Sequence, residues 1–182
     1  MSLSRFSVVL LWVLGLLSLG SQCVPVVPTG NHPAGTIAVR TEATVVFERI
    51  HIVITLDSLV TDIVKADFVA TNPTDQEITL EQFTGTAGVN ETTYMAFNHT
   101  FSQPLVIPAA GDAASEVIPD VLLTQGAIAS LDIIPLGILD LLDATLAIRT
   151  GSVAGQGGEP GSINGLKQSG IPTTYDLDLG SP

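Results

Sequence analysis

The histidines are the first side chains to consider for metal or acid–base chemistry, and they are few. His32, His51 and His99 are far apart in the sequence, and their spacing matches no pattern typical of a metal site. We therefore interpret each one as a solvated histidine or a histidine on a strand face. The sequence predicts no metal and no other cofactor.

Carboxylates are the next candidates for catalysis. Asp132, Asp140 and Asp143 could supply a pair for glycoside hydrolysis, but nothing in the sequence fixes two of them at the required separation of roughly 5 to 10 Å. Asp176 and Asp178 could bind calcium weakly, although outward-facing aspartates on a strand explain that spacing more simply. No G-x-S-x-G motif occurs. We expect a protein that is not an enzyme, with a hydrolase as the minor alternative.

Two segments match the acceptor pattern for N-linked glycans, Asn90-Glu91-Thr92 and Asn98-His99-Thr100. Asn72 does not qualify because Pro73 follows it. In a eukaryotic secretory pathway the pattern predicts glycosylation at Asn90 and Asn98, and the turn-like surroundings favour Asn90. A bacterial source would make both sites irrelevant.

The N-terminus has the pattern of a secretory signal. One positive charge at Arg5 precedes a run of uncharged residues from Phe6 to Leu19, which is shorter than the roughly 20 residues that span a bilayer. We predict a signal peptide over residues 1–23, with the mature chain beginning at Ser21 or Val24, and no stable transmembrane span. Extension of the apolar run through residue 27 leaves a signal anchor as the alternative. The predicted location is secreted and extracellular.

Composition excludes several classes of function. Eighteen Asp and Glu against six Lys and Arg give a net charge of -12, which leaves few side chains to neutralise nucleic-acid phosphates or anionic lipid. A mean hydropathy of +0.48 is too apolar for an acidic disordered chain. Cys23 is the only cysteine, so no intrachain disulfide can form. We expect a monomer that depends on its core for stability.

After the signal peptide, the sequence predicts a leader followed by one domain. Residues 24–36 are rich in Pro and Gly, and residues 37–182 carry the pattern of a domain. Strand-type alternation places Ile50, Ile52 and Ile54 on one face, and Met95, Phe97 and Phe101 on one face of a later strand. Strands are also predicted at residues 63–72, 78–83, 103–108, 113–118, 145–150 and 173–179. A turn is predicted at residues 72–75, and a second turn at residues 110–112 predicts a short hairpin of the strands on either side of it. Two short helices are predicted within 119–142, and a glycine-rich loop over 151–165.

Seven or eight strands with few helices predict an all-β fold. The specific prediction is a single fibronectin-III-like or immunoglobulin-like antiparallel β-sandwich with a short helical insert.

Four segments carry a resemblance to a known family: Ala66–Thr74, Ile78–Leu80, the strand ending at Phe101, and Leu105–Ala109. Over roughly residues 42–179 the chain resembles the water-stress and hypersensitive-response domain of the globular late embryogenesis abundant proteins, and more closely the small secreted fungal proteins that carry a relative of it. The most specific features are Asn72-Pro73, which ends a strand, and Ile107-Pro108. The helical insert and the glycine loop depart from the pattern. The resemblance implies a fold and a stress or interaction role, and it transfers no active residues.

Two functions therefore stay open. The first is a non-catalytic secreted protein with an interaction or stress-protection role at the cell exterior, whose partner is an unknown protein, the cell wall or an apolar ligand. The alternative is a carrier of a small apolar ligand or lipid, motivated by the very apolar segment Ile133–Leu139. The sequence leaves open whether residues 133–142 cap the core or line a cavity.

Overall fold

The computed structural model describes residues 45–180, and these residues form a β-barrel with short helices at one end. The predicted signal peptide and the predicted leader both lie outside the described residues. The strands are β1 (Val46–Thr55), β2 (Ile63–Asn72), β3 (Ile78–Val89), β4 (Thr92–Ile107), β5 (Gly111–Ala114), β6 (Ile118–Leu123), β7 (Ile138–Thr150) and β8 (Glu159–Asp178). The helices are α1 (Ser58–Thr61), α2 (Ala127–Ser130) and a 3-10 helix, Leu131–Leu136.

The predicted β-sandwich is wrong, because the sheet closes on itself. β1 pairs with β2 on one side and with β8 on the other, and the order β1-β8-β7-β3-β4-β6-β2 returns to its start as a closed seven-stranded barrel. Sandwiches and barrels both bury one face of each strand, so alternating residues in the sequence predict either fold equally well. The parallel pairing of β1 with β8 joins strands more than 100 residues apart, and no local pattern reports it.

β5 and β6 act as one interrupted strand. Both run antiparallel to β2 along the same edge: Gly111–Ala114 pairs with the second half of β2, and β6 pairs with the first half. The predicted hairpin between β4 and β5 is therefore wrong, since β5 takes its ladder partner from β2. Residues 115–117 link the two pieces without strand pairing.

The sheet curls into a barrel through bulges and two glycines in β3. Register shifts interrupt the pairing at several points along β1, β3 and β7, and such bulges bend strands. A Cβ added at Gly85 would overlap the carbonyl oxygen of Asp143 on β7, and one at Gly88 would overlap that of Thr92. Glycine therefore allows β3 to approach its neighbours this closely.

The interior of the barrel holds one hydrophobic core built around phenylalanines. The Phe68 ring, 3% exposed, packs against Phe47, Phe83 and Phe101 with ring centroids 4.9 to 6.2 Å apart. Phe68 and the predicted apolar faces of β1 and β4 do contribute to the core, where Ile52, Ile54, Met95 and Phe101 are buried and Ile50 and Phe97 are partly buried. These strand-face predictions are confirmed.

The helical insert is shorter than predicted. The predicted helices within 119–142 reduce to α2 and the 3-10 helix, because Val121 and Leu123 are buried in alternation with exposed neighbours on β6, and β7 begins at Ile138. The predicted glycine loop also shrinks to residues 151–158, since β8 begins at Glu159 and pairs with Thr150. The turn at residues 73–77 is confirmed between β2 and β3.

Candidate functional site

One end of the barrel is covered by the helices, and we call it the capped end. Here β1, β3, β6 and β8 finish and β2, β4 and β7 begin. The connecting segments 56–62, 90–91 and 124–137 therefore lie at this end, together with residues 177–180, which are the last two residues of β8 and the two after it. The Asp62 side chain ties α1 to α2, because its Oδ1 accepts a hydrogen bond from Ala127 N at 2.7 Å. The Asp62 carbonyl also accepts one from Leu123 N at 2.7 Å. The cap is thus fixed to the strand ends.

Large hydrophobic side chains are exposed mainly at this end. Of the eleven exposed ones in the described part of the chain, eight lie on capped-end segments or within the terminal two residues of strands there. Val60 on α1 is 85% exposed and Ile128 on α2 is 70% exposed. The other six are Leu56, Leu122, Leu136, Ile138, Leu177 and Leu179. Exposed apolar residues gathered in one region typically mark an interaction site.

The charges on the segments that form the capped end have one sign. Its segments 56–62, 90–91, 124–137 and 177–180 contain five acidic residues and no Lys, Arg or His; the acids are Asp57, Asp62, Glu91, Asp132 and Asp178. Lys65 on β2 and Lys167 on β8 are the bases on strands near this end. The capped end therefore combines apolar side chains with negative charge.

The barrel interior contains a cavity of about 30 Å³ lined by apolar side chains that include Phe68, Phe97 and Ile118. This volume is close to that of one water molecule, and small-ligand sites typically occupy about 300 to 1,000 Å³. Residues 133–142 both cap the core and line the cavity, because Ile133 is buried in the cap whereas Leu139 and Leu141 line the cavity. The interior as it stands has no room for a lipid.

His99 takes part in a polar cluster at the seam between β4 and the β5–β6 strand. β4 pairs with β6 only at two positions, 95 with 123 and 96 with 122. Beyond these two pairs, Glu116 lies in the link between β5 and β6 and faces β4. It accepts hydrogen bonds from Ser102 N at 2.8 Å, Ser102 Oγ at 2.6 Å and His99 Nε2 at 2.9 Å. The bonds from the Ser102 hydroxyl and amide, with a smaller contribution from His99, lower the pKa of Glu116 to about 2. The Glu116 side chain thus closes the seam where backbone pairing stops.

The order of groups in this cluster does not resemble a catalytic triad. In a triad a histidine lies between the serine and the acid and takes the serine proton. Here the carboxylate of Glu116 lies between Ser102 and His99, and the serine hydroxyl donates to the carboxylate. Because the pKa of Glu116 is lowered to about 2, the carboxylate that accepts this bond is a weak base, and the geometry stabilises the seam.

His51 joins three neighbouring strands on the outside of the barrel. Its Nδ1 lies 2.8 Å from Asp67 Oδ2 on β2, and its Nε2 lies 3.0 Å from Asp176 Oδ2 on β8. The hydrogen bond to Asp67 raises the pKa of His51, partial burial opposes this, and the bond to Asp176 adds to the increase. Because both ring nitrogens face carboxylates, the imidazolium form makes both bonds and the neutral form makes one.

The remaining sequence candidates do not assemble into a site. Asp132 lies on the 3-10 helix, and Asp140 and Asp143 lie on β7, where Asp140 Oδ1 accepts a hydrogen bond from Gly170 N at 2.7 Å. Asp176, one of the pair considered for calcium, is bound to His51. Over residues 45–180 no group of three or more His, Cys, Asp or Glu is arranged to hold a metal ion. His32 and Cys23 lie outside the described residues.

Both predicted glycan acceptors lie on the surface of the described part. Asn90 forms, with Glu91, a two-residue turn between β3 and β4, and both residues have left-handed backbone (φ 51° and 64°), as this kind of hairpin turn requires. Asn98 is exposed on β4, where its Oδ1 accepts hydrogen bonds from Gln82 and Thr84. Glycosylation of the two asparagines stays a prediction.

Sequence reasoning missed two features of this structure. His99 lies in the alternating stripe of Met95, Phe97 and Phe101, so its position on the inner side of β4 could have been found from the period of two. Its ring packs edge-on against Phe101 with centroids 4.9 Å apart. The capped end could not be found in this way, because its exposed residues come from three separate stretches of the sequence, 56–60, 122–138 and 177–179, and only the closed barrel brings them to one end.

No family model matches the chain, and no curated protein matches it either. Among the helices of the described residues, none is long and apolar enough to cross a membrane.

Proposed function

We propose that this chain is a non-catalytic protein of the cell exterior that acts by binding a partner protein at the capped end. The observation that carries the proposal is the gathering of eight exposed large hydrophobic residues there, against three elsewhere in the described part. A folded protein leaves such side chains in water at no gain in stability, whereas burial against a partner gains roughly 25 cal/mol for each Å² of apolar surface.

The polar clusters support a structural rather than a catalytic use of their side chains. Glu116 holds the seam between β4 and β5–β6, and His51 links β2, β1 and β8. Each of these groups is already engaged with a neighbouring strand. Residues free for binding are therefore the apolar ones of the capped end.

The location and the stress role are part of the same proposal. The short apolar run before Gly20 supports secretion, and the resemblance carried by Asn72-Pro73 supports an interaction or stress-protection role. The carrier alternative has less support, since the cavity of about 30 Å³ lacks the volume for a lipid.

Site-specific photocrosslinking tests this function. A photoreactive residue is placed at Ile128 in the capped end, or at Val153, which is 77% exposed in the loop between β7 and β8. We expect the probe at position 128, and not the one at 153, to crosslink one protein in the extracellular medium or wall of the producing cell. The purified partner should then lose affinity for the Val60→Ser/Ile128→Ser variant. Equal crosslinking at both positions, or none at either, contradicts the proposal.

A further inference from the structure

The capped end carries enough chemical detail to define the kind of partner that fits it. Its most exposed apolar side chains are Val60 on α1 and Ile128 on α2, and these two helices are held together by the bond from Ala127 N to Asp62. Apolar groups on two adjacent short helices suit a partner that presents an apolar stripe. An amphipathic helix presents such a stripe in a recurrent mode of recognition.

The charge around this surface selects the sign of the partner. Asp57 and Asp132 are exposed beside Val60 and Ile128 in sequence and belong to the same two connections, and Asp178 is exposed at the end of β8. No basic residue occurs in the connecting segments of this end within the described residues. Complementary charge speeds association and disfavours partners of the same sign.

Two other occupants fit this charge less well. In a second copy docked end to end, the same acids would face one another, within a chain whose net charge is already -12. A bilayer with anionic lipid would repel the same acids. A partner with an apolar surface flanked by basic residues can bury the exposed apolar side chains and also pair with the acids.

We infer that the capped end binds a cationic amphipathic helix, in which an apolar stripe is flanked by Lys or Arg. This inference rests on the proposed function and adds the chemistry of the partner. The apolar stripe contacts Val60 and Ile128, and the flanking bases lie near Asp57 and Asp132.

Titration with designed peptides tests the inference. The probe is a helical peptide of about 18 residues with leucines at helical spacing and lysines on the flanks. One control peptide keeps the leucines and carries glutamates in place of the lysines, and a second keeps the lysines and carries alanines in place of the leucines. We expect the full-length protein to bind the first peptide at least about tenfold more tightly than either control, with affinity that falls as salt is raised.

Matched variants locate the binding site on the protein. Val60→Ser/Ile128→Ser should weaken binding of the cationic peptide roughly tenfold or more, because two apolar contacts are lost. Val117→Ser/Val153→Ser changes two exposed residues that lie elsewhere and should leave the affinity within about twofold. Asp57→Asn/Asp132→Asn should weaken binding about threefold at low salt and less at high salt, whereas Asp75→Asn/Asp112→Asn at the opposite end should not.

The outcomes separate the partner chemistry from the proposed function. Tight binding of the glutamate peptide that is lost in Val60→Ser/Ile128→Ser would overturn the cationic partner and leave the docking surface in place. Dimerisation through the capped end in sedimentation, or flotation with anionic vesicles that those serines abolish, would likewise overturn it. Affinity for the cationic peptide that no capped-end variant changes would overturn the inference and, together with a failed crosslink at position 128, the proposed function as well.

Discussion

Glu116 binds Ser102 twice, with one carboxylate oxygen 2.8 Å from the Ser102 amide nitrogen and the other 2.6 Å from the Ser102 hydroxyl. These two bonds join the link between β5 and β6 to β4 at a point where the strands share no ladder pair. The Glu116 side chain therefore holds the two strands together in this part of the seam, whereas backbone hydrogen bonds do so elsewhere in the barrel.

The first prediction concerns the loss of folding stability at low pH through protonation of Glu116. The folded pKa of Glu116, about 2, lies below its ordinary value of 4.5, so its contribution is present above about pH 4.5 and is lost as the pH falls toward 2. Glu116→Gln should lower the urea midpoint at pH 7 and reduce its decline between pH 5 and 2. Denaturant titrations over that range check this, with Glu91→Gln in the exposed β3–β4 turn as the control. If the urea midpoint of Glu116→Gln declined between pH 5 and 2 as steeply as that of the unmodified protein, Glu116 would not stabilise the seam.

The second prediction concerns the loss of folding stability as the pH rises and His51 loses its proton. The pKa of His51 is raised, so the stability contributed by its bonds to Asp67 and Asp176 is present below about pH 6.5 and is lost as the pH rises through the folded pKa. Partly exposed ion pairs contribute about 0.2 to 1 kcal/mol, and the loss should be of that order.

An NMR titration of the imidazole checks the direction of this shift. Asp67→Asn should move the His51 pKa down more than Asp176→Asn does, because the bond to Asp67 is its largest cause. Asp75→Asn in the turn after β2 serves as the control and should leave the titration unchanged. A His51 pKa at or below 6.5 in the unmodified protein would show that the two bonds do not form in solution.

The sequence could predict the strands far better than their assembly. The alternation in Ile63–Asn72 and the turn residues after it are local signals that predict a strand, and this segment is β2. Closure depends instead on β1 meeting β8 and on close approach at Gly85, both of which join distant segments. The role of His51 follows from the pairing of β1 with β2 and β8, and the role of Glu116 follows from the seam between β4 and the β5–β6 strand. Neither role could be predicted from the sequence without the barrel.

The third prediction concerns Asn72, which is fully buried at the end of β2. Its Nδ2 donates to the carbonyls of Gln76 and Pro108 at 2.7 and 3.0 Å, and its Oδ1 accepts from Thr74. Asn72→Ala removes all of these bonds, although Gln76 O keeps the Thr74 hydroxyl and Pro108 O keeps Gly111 N as donors. Each lost bond contributes about 0.5 to 1.5 kcal/mol. We expect a total loss on the order of 3 kcal/mol.

The matched control is Thr74→Ala in the same turn, which should cost under about 1 kcal/mol because Thr74 is half-buried. Urea unfolding of the two variants compares them directly. Equal losses for Asn72→Ala and Thr74→Ala would contradict the central place of Asn72 in this corner.

The fourth prediction concerns the curvature of β3. Gly85→Ala should destabilise the protein by about 1 to 3 kcal/mol, because the added methyl group meets the backbone of β7. Gly161→Ala on β8 is the control, since the nearest atom to its added methyl group is 4.0 Å away. Thermal unfolding should show a clearly lower midpoint for Gly85→Ala alone, and similar midpoints for both variants would mean that the strands pack less closely than described.

The most direct test of the account is a hydrogen-exchange footprint of the full-length protein with and without the cationic amphipathic peptide. We expect slower exchange in segments 56–62, 124–137 and 177–180 of the capped end, and no change at the opposite end in residues 73–77 and 108–112. Val60→Ser/Ile128→Ser should abolish the protection. Protection confined to the seam around Ser102, or to the opposite end, would contradict the claim that the capped end is the binding surface.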